Sequence, residues 1–305
     1  MDSGKKEVQP QQNAHGSPRR FFIVFTVGIP GIGKSFIINK LKDYIQQQKD
    51  YAMEISTSDE IRSSYLAEYY KLNNIDVEKL TQEELFKIEV DQGAPVRQGL
   101  YDDIRRKLKK LLEDNARESI FVLDKNHCNK QLIAYVESQV EEIFQEQQAK
   151  FFILVPDTLK EGEDRTFYPF HFETISVGLI RSLTRKEHLT MKYGAIHSLL
   201  SFTTCLTSQL KESFDEKFPP AKYTRIEVSY YLRQQVEDEK KKPTIVAALE
   251  KLKELILAVV QKKTEAAAAC SEIEKQVAIL VPINAFFPSK PETYKAMLEA
   301  FNKQF

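Results

Sequence analysis

Gly28 to Ser35 read Gly-Ile-Pro-Gly-Ile-Gly-Lys-Ser, and these eight residues combine what the capture of a chain of phosphates requires. Gly28, Gly31 and Gly33 let the backbone bend until several N–H groups point inward at one anion. Lys34 reaches the outer phosphates as a point charge, and the Ser35 hydroxyl is suited to a magnesium ion. Ile32 and Phe36 complete a nucleotide-binding set of Gly28, Gly31, Ile32, Gly33, Lys34, Ser35 and Phe36. A helix opening at this point adds its positive N-terminal end.

Three further groups have side chains able to do chemistry. Asp59 and Arg62 in Ser58-Asp-Glu-Ile-Arg62 are spaced i,i+3, which sets a carboxylate and a cation on one face of a helical turn. Taken alone they read as a helix cap and a surface cation. Asp124 opens Asp-Lys-Asn-His127 at the end of an apolar run, either as a carboxylate for metal-bound water or as a simple strand-end turn. Arg181 and Arg185, i,i+4 on one helix face and followed by His188, come after Tyr168-Pro-Phe-His-Phe-Glu173. They could steady a transferring group, or be two solvated arginines. His127 is assigned no chemistry.

The elements that must position these groups follow from hydrophobic period. Phe21 to Val27 is a near-continuous apolar run, the mark of a strand buried on both faces. Ile37, Ile38, Leu41 and Ile45 then fall at helical spacing, so strand, loop and helix follow one another around Gly28 to Ser35. Tyr51 to Thr57 reads as a strand ending at Asp59, and helical material after it breaks near Asn73 and Asn74. Val96, Leu100, Ile104, Leu108 and Leu111 form a helical stripe. The basic residues around it (Arg105, Arg106, Lys107, Lys109, Lys110) are expected to be a solvated face partnered with Asp102, Asp103 and Glu113. Ser119 to Asp124 and Phe151 to Val155 are two more strands, separated by a helix with Ile133, Val136, Val140 and Ile143 inward.

This alternation predicts an α/β fold with a parallel sheet flanked by helices. Ligands of such sheets sit at the carboxyl ends of the strands, where the glycine-rich loop, Asp59 and Asp124 all fall. Residues 1–19 are expected to be a disordered tail, with Arg19 and Arg20 a solvated pair at its end. Residues 20–235 are expected to form the main domain, with a lid around 168–190. Residues 236–305 read as a mainly helical extension: a long helix from Thr244 to about Gln276, a strand from Val277 to Ile283 and a last helix from Pro291.

Composition narrows the function classes. The 305 residues carry 44 basic and 44 acidic side chains, a balance unlike that of proteins that coat long nucleic acids. Contact with a nucleic acid is therefore expected to be local, at an end. Three separated cysteines (Cys128, Cys205, Cys270) lack metal-ligand or disulfide-scaffold spacing. No apolar run approaches the ~20 residues of a membrane span, and a cytoplasmic or nuclear location is expected. A guanine-reading N-K-x-D and the dinucleotide fingerprint G-x-G-x-x-G are both missing, which leaves kinase or ATPase chemistry.

The stretch Thr26 to Ser35 resembles the P-loop of phage-type polynucleotide 5′-hydroxyl kinases. Asp59 and Arg62 match that family's proton-accepting Asp and the Arg that binds acceptor phosphate. Asp124 to His127 is similar to the D-x-N-H element of tRNA-ligase kinase domains, and Tyr168 to His188 is similar to the lid of the fungal type. The likeness covers roughly residues 20–200 and implies a P-loop NTPase/kinase fold. It implies Mg²⁺-dependent transfer of the γ-phosphate of ATP or GTP to the 5′-hydroxyl of a polynucleotide, with RNA favoured over DNA. In that reading Lys34, Asp59, Arg62, Arg181 and Arg185 are the catalytic residues, and Ser35 and Asp124 hold the metal. The sequence departs from a full tRNA ligase in lacking K-x-D-G and a paired H-x-[ST], so a separate ligase or phosphodiesterase partner is implied. Two alternatives stand beside it: a P-loop kinase of a small molecule, and a nucleotide-binding scaffold without catalysis.

Overall fold

The computed structural model describes residues 19–114, 116, 118–125, 130–144, 149–158, 172–184, 216, 218–234, 242–261, 263–280, 283–286 and 291–305. Six strands form one sheet: β1 (Arg20–Thr26), β2 (Tyr51–Thr57), β3 (Glu118–Asp124), β4 (Ala149–Thr158), β5 (Tyr223–Gln234) and β6 (Ile283–Phe286). Their order across the sheet is β2-β3-β1-β4-β5-β6. The first five are parallel, and β6 closes the edge antiparallel to β5. Helices α1 (Lys34–Ile45), α2 (Ser58–Leu72), α3 (Gln82–Asp91), α4 (Gly93–Glu113), α5 (Lys130–Ile143) and α6 (Phe172–Thr184) are interleaved with the strands. Beyond β5 come α7 (Lys242–Val260), α8 (Ala266–Leu280) and α9 (Pro291–Asn302). The expected α/β architecture, a parallel sheet flanked by helices with a mainly helical C-terminal part, is the one observed.

Alternation along β1 explains why its sequence is apolar throughout. Phe21, Ile23 and Phe25 face a core shared with α4, α5, α6, α7 and α8. Phe22 and Val24 face a second core with α1 and α9, where Phe22 and Phe152 meet Phe301. A strand covered on both faces has no side on which a polar residue is cheap. Strand β5, by contrast, alternates apolar and polar residues over Ile226-Glu-Val-Ser-Tyr230, a signal that the sequence reading passed over.

Two sequence expectations give way. Arg19 is not solvated: it is buried, and its guanidinium donates to the carbonyls of Leu111 and Leu112 at 2.7 and 2.6 Å. These belong to the last turn of α4, where helix carbonyls lack intrahelical partners, and Arg20 pairs with Glu118. The long C-terminal helix is two helices, α7 and α8, folded back on each other, with Ile256, Val259, Ala269 and Ile273 in one core. Helix α8 continues through Val277 and Leu280 because these extend the buried face of Ile273, so the following strand begins only at Ile283. The basic face of α4 is solvated as expected: Arg105, Arg106, Lys109 and Lys110 are exposed, and only Lys107 is half-buried. Arg105 pairs with Glu142, Lys110 with Glu54, and Arg106 and Lys107 with Asp103, which is itself buried.

Candidate active site

Parallel register aligns the carboxyl ends of three neighbouring strands. Thr57 of β2 stands opposite Asp124 of β3, and Phe25 of β1 opposite Leu123, so Thr26, Asp124 and Thr57 lie side by side. The chain leaves β1 into the glycine-rich loop and β2 into α2, which carries Asp59 in its first turn. Residues far apart in sequence therefore emerge at one edge, as the strand-end argument anticipates.

The loop has the geometry of an anion cradle. Gly31 (φ 81°) and Gly33 (φ 94°) adopt left-handed conformations that L side chains rarely take. Gly33 is the N-cap of α1, so the loop opens directly onto that helix's unpaired N–H groups. Lys34 is buried, and its ammonium donates to the carbonyls of Gly28 and Ile29 at 3.0 and 2.9 Å. The cation thus rests across the start of the loop. The Ser35 hydroxyl donates to Asp124 Oδ2 at 2.6 Å. Ile32 is buried beneath the loop and Phe36 is part-exposed on the first turn of α1.

Thr26 completes this arrangement, and sequence reasoning passed it over. Its hydroxyl lies 3.2 Å from Asp124 Oδ1 and 3.1 Å from the Lys125 carbonyl, and it accepts the Lys125 N–H at 3.0 Å. Asp124 is held through both oxygens, one by Thr26 and one by Ser35. The signal available in sequence was a lone hydroxyl residue closing a strand of buried apolar ones. Ser35 and Asp124 offer oxygen donors only, the chemistry that suits Mg²⁺ in the company of substrate phosphates. Among the described residues no group of three or more His, Cys, Asp or Glu could hold a metal by itself.

The β2 side is braced differently. The Ser56 hydroxyl donates to Asp103 Oδ2 at 2.7 Å, Lys107 reaches the same carboxylate at 2.8 Å, and Lys107 also donates to the Ile55 carbonyl. Burial on its own raises the Asp103 carboxyl; hydrogen bonds from Lys107 and Ser56, the Lys107 charge and Arg106 outweigh it and hold the group below the usual range. This network ties the end of β2 to α4, three residues before Asp59.

Thr57 is the N-cap of α2 and makes no side-chain cap, so Asp59 stands half-buried inside the first turn rather than at the cap position. Arg62 is exposed one turn later and faces Glu89 of α3. Burial pushes the Glu89 carboxyl up, and the Arg62 charge opposes that shift. Tyr65 donates to Gln92 Oε1 at 3.2 Å, which fixes α2 against the α3–α4 junction.

No protein-family model matches the sequence, and a search of curated proteins finds no match. Among solved structures, one titled as the crystal structure of a fungal RNA kinase is similar over 86% of this chain and 98% of that chain, at 12% identity and a TM-score of 0.34. A likeness of that size carries no argument about the site, which stands on its own geometry.

The structure brings Lys34, Ser35, Asp124 and the loop glycines together and sets Asp59 and Arg62 two strands away, across β3. Arg181 lies half-buried on α6, the helix that touches the outside of the loop. Arg185, His127 and His188 fall outside the described residues. Among the described residues no helix is long and apolar enough to cross a membrane.

Proposed function

We propose that the protein is a P-loop kinase that transfers the γ-phosphate of ATP or GTP to the 5′-hydroxyl of a polynucleotide end, RNA in preference to DNA. The observation that supports this most directly is the alignment of Thr26, Asp124 and Thr57 at adjacent strand ends. It sets a phosphate-binding loop and a partly sheltered carboxylate, Asp59, at one edge of the sheet. In this reading the loop amides and Lys34 bind the β- and γ-phosphates. Lys34 exchanges its present carbonyl partners for phosphate oxygens. Ser35 and Asp124 would hold Mg²⁺, which supplies charge neutralisation on the phosphates when bound. Asp59 accepts the proton of the attacking hydroxyl, and the exposed Arg62 binds a phosphate of the acceptor. Arg181 and Arg185 steady the transferring group. The main domain, residues 20–235 with a lid around 168–190, carries every one of these residues, and sealing of the phosphorylated end falls to a separate ligase.

The test is transfer of labelled γ-phosphate from ATP and from GTP to a 5′-hydroxyl RNA oligonucleotide, with Lys34→Ala and Asp59→Ala beside the wild type. Transfer that is lost in both variants is the expected result. Nucleotide binding that depends on Lys34 without transfer to RNA or DNA would overturn the polynucleotide reading and leave a small-molecule kinase or a scaffold.

A further inference from the structure

Helix α6 packs into the protein on two sides. Thr174, Ile175, Ser176, Val177, Leu179 and Ile180 are all buried, so the helix has almost no solvent-facing stripe over this stretch. On one side Ile175, Leu179 and Ile180 share a core with Ile245, Leu252 and Ile256 of α7 and with Ile273 and Val277 of α8. On the other side the helix meets the phosphate-binding loop at close backbone approach, flanked by the side chains of Ile29 and Ser182. A Cβ on Gly178 would lie 2.9 Å from the Pro30 carbonyl and 2.7 Å from Ile29 Cδ1. A Cβ on Gly31 would lie 2.4 Å from the Gly178 carbonyl and 2.6 Å from Ser182 Oγ. Distances under 3.0 Å are ones real Cβ atoms essentially never show, so the approach requires glycine on both partners.

We propose that α6 is a brace for the phosphate-binding loop, seated through the Gly178–Gly31 contact and backed by the α7–α8 pair, and that Gly178 is a positioning residue for phosphate binding. The loop's inner surface must present N–H groups to phosphate while Gly31 holds a left-handed conformation. A loop of this kind keeps one shape only if its outer surface is supported. Helix α6 supplies that support at Pro30 and Gly31, and the C-terminal helices supply the apolar backing that keeps α6 in place. The inference rests on the nucleotide-binding reading only for its consequence; the brace itself is a property of the free protein.

The experiment compares wild type, Gly178→Ala, Ile29→Ala/Gly178→Ala and Gly99→Ala. It measures hydrogen exchange of the amides of residues 28–35 in the free protein, then ATP affinity by titration. The Gly99 variant is the control for placing alanine on a helical glycine, since its Cβ meets Ile61 at an ordinary 3.5 Å. In Gly178→Ala the loop amides are expected to exchange faster while β1 and β3 keep wild-type protection. ATP affinity should fall about tenfold, within the range that one added methyl in a packed site costs. The double variant removes the Ile29 Cδ1 contact and should recover part of both losses. Gly99→Ala should match wild type. Unchanged loop exchange in Gly178→Ala overturns the brace, and so does faster exchange spread evenly over the sheet and α7–α8, which would mark a purely structural role. If the wild type does not bind ATP but the loop exchange behaves as stated, the brace holds and the nucleotide reading falls.

Discussion

The two halves of the candidate site are built to different standards. Around the loop the charged groups are buried and paired, Lys34 on two carbonyls and Asp124 between Thr26 and Ser35, and α6 is pressed on Gly31. Across β3, α2 buries one residue, Leu66, and α3 buries none among its described side chains. This flank leaves Leu72, Phe86 and Val90 at 73%, 69% and 60% exposure. The loop side is held by the core of the sheet, and the Asp59–Arg62 side by a few polar ties such as Ser56–Asp103 and Tyr65–Gln92. Regions with few buried contacts open at low free-energy cost. On the proposed reading, a well-packed loop beside a loosely packed flank suits a small donor of constant shape and a larger acceptor that must be let in.

That contrast can be broken at several points. The largest effect is expected from Phe121→Ala in the centre of the sheet, at about 3–5 kcal/mol of stability in urea unfolding; a loss under about 1 kcal/mol would mean that the core does not underpin the loop side. Lys34→Ala should lower γ-phosphate transfer by about 10²–10³-fold, the usual cost of removing one charge-stabilising donor. Its circular dichroism should remain that of the wild type, because the strands and helices of the sheet core do not depend on the Lys34 ammonium, which donates to the Gly28 and Ile29 carbonyls. Asp59→Asn should reduce turnover by about 10²-fold or more with little change in thermal midpoint, and retention of near-normal turnover removes Asp59 from the chemistry.

Smaller effects sharpen the comparison. The Asp103 carboxyl is held below its ordinary value of 3.8, so it binds its proton more weakly in the folded protein than in the unfolded chain. The stability it contributes is therefore full above that ordinary value and is lost as pH falls through the lower folded value. Urea midpoints measured from about pH 5 down to about pH 2 should show this acid limb, flattened in Asp103→Asn. Phe86→Ala, on the exposed face of α3, should stay within about 0.5 kcal/mol of wild-type stability. A large loss there would mean that the flank is covered and packed in solution.

Much of this was legible because the relevant signals are local. The glycine spacing of Gly28 to Ser35 states the loop, and the apolar runs of β1 and β3 state strands with both faces covered. Arg19 shows where local reading stops. Two arginines after a polar tail look solvated, and only the approach of the last turn of α4, more than ninety residues on, gives a guanidinium carbonyls to bind. Thr26 was missed for a similar reason, since its partners lie at the end of another strand. The break between α7 and α8 was missed although five polar residues, Gln261 to Glu265, interrupt the apolar pattern there, and the shared core shows the two helices folded back on each other.

By itself the sequence determined the element order from β1 to β4, the loop and the list of polar residues at strand ends, because each depends on the period and type of neighbouring residues. The tertiary structure decided which of these residues meet: Thr57 beside Asp124 through strand register, Ser35 on Asp124, Asp103 under Ser56, and α6 against Gly31. Those contacts join residues distant along the chain, and only sheet pairing and core packing bring such residues within hydrogen-bond or van der Waals reach.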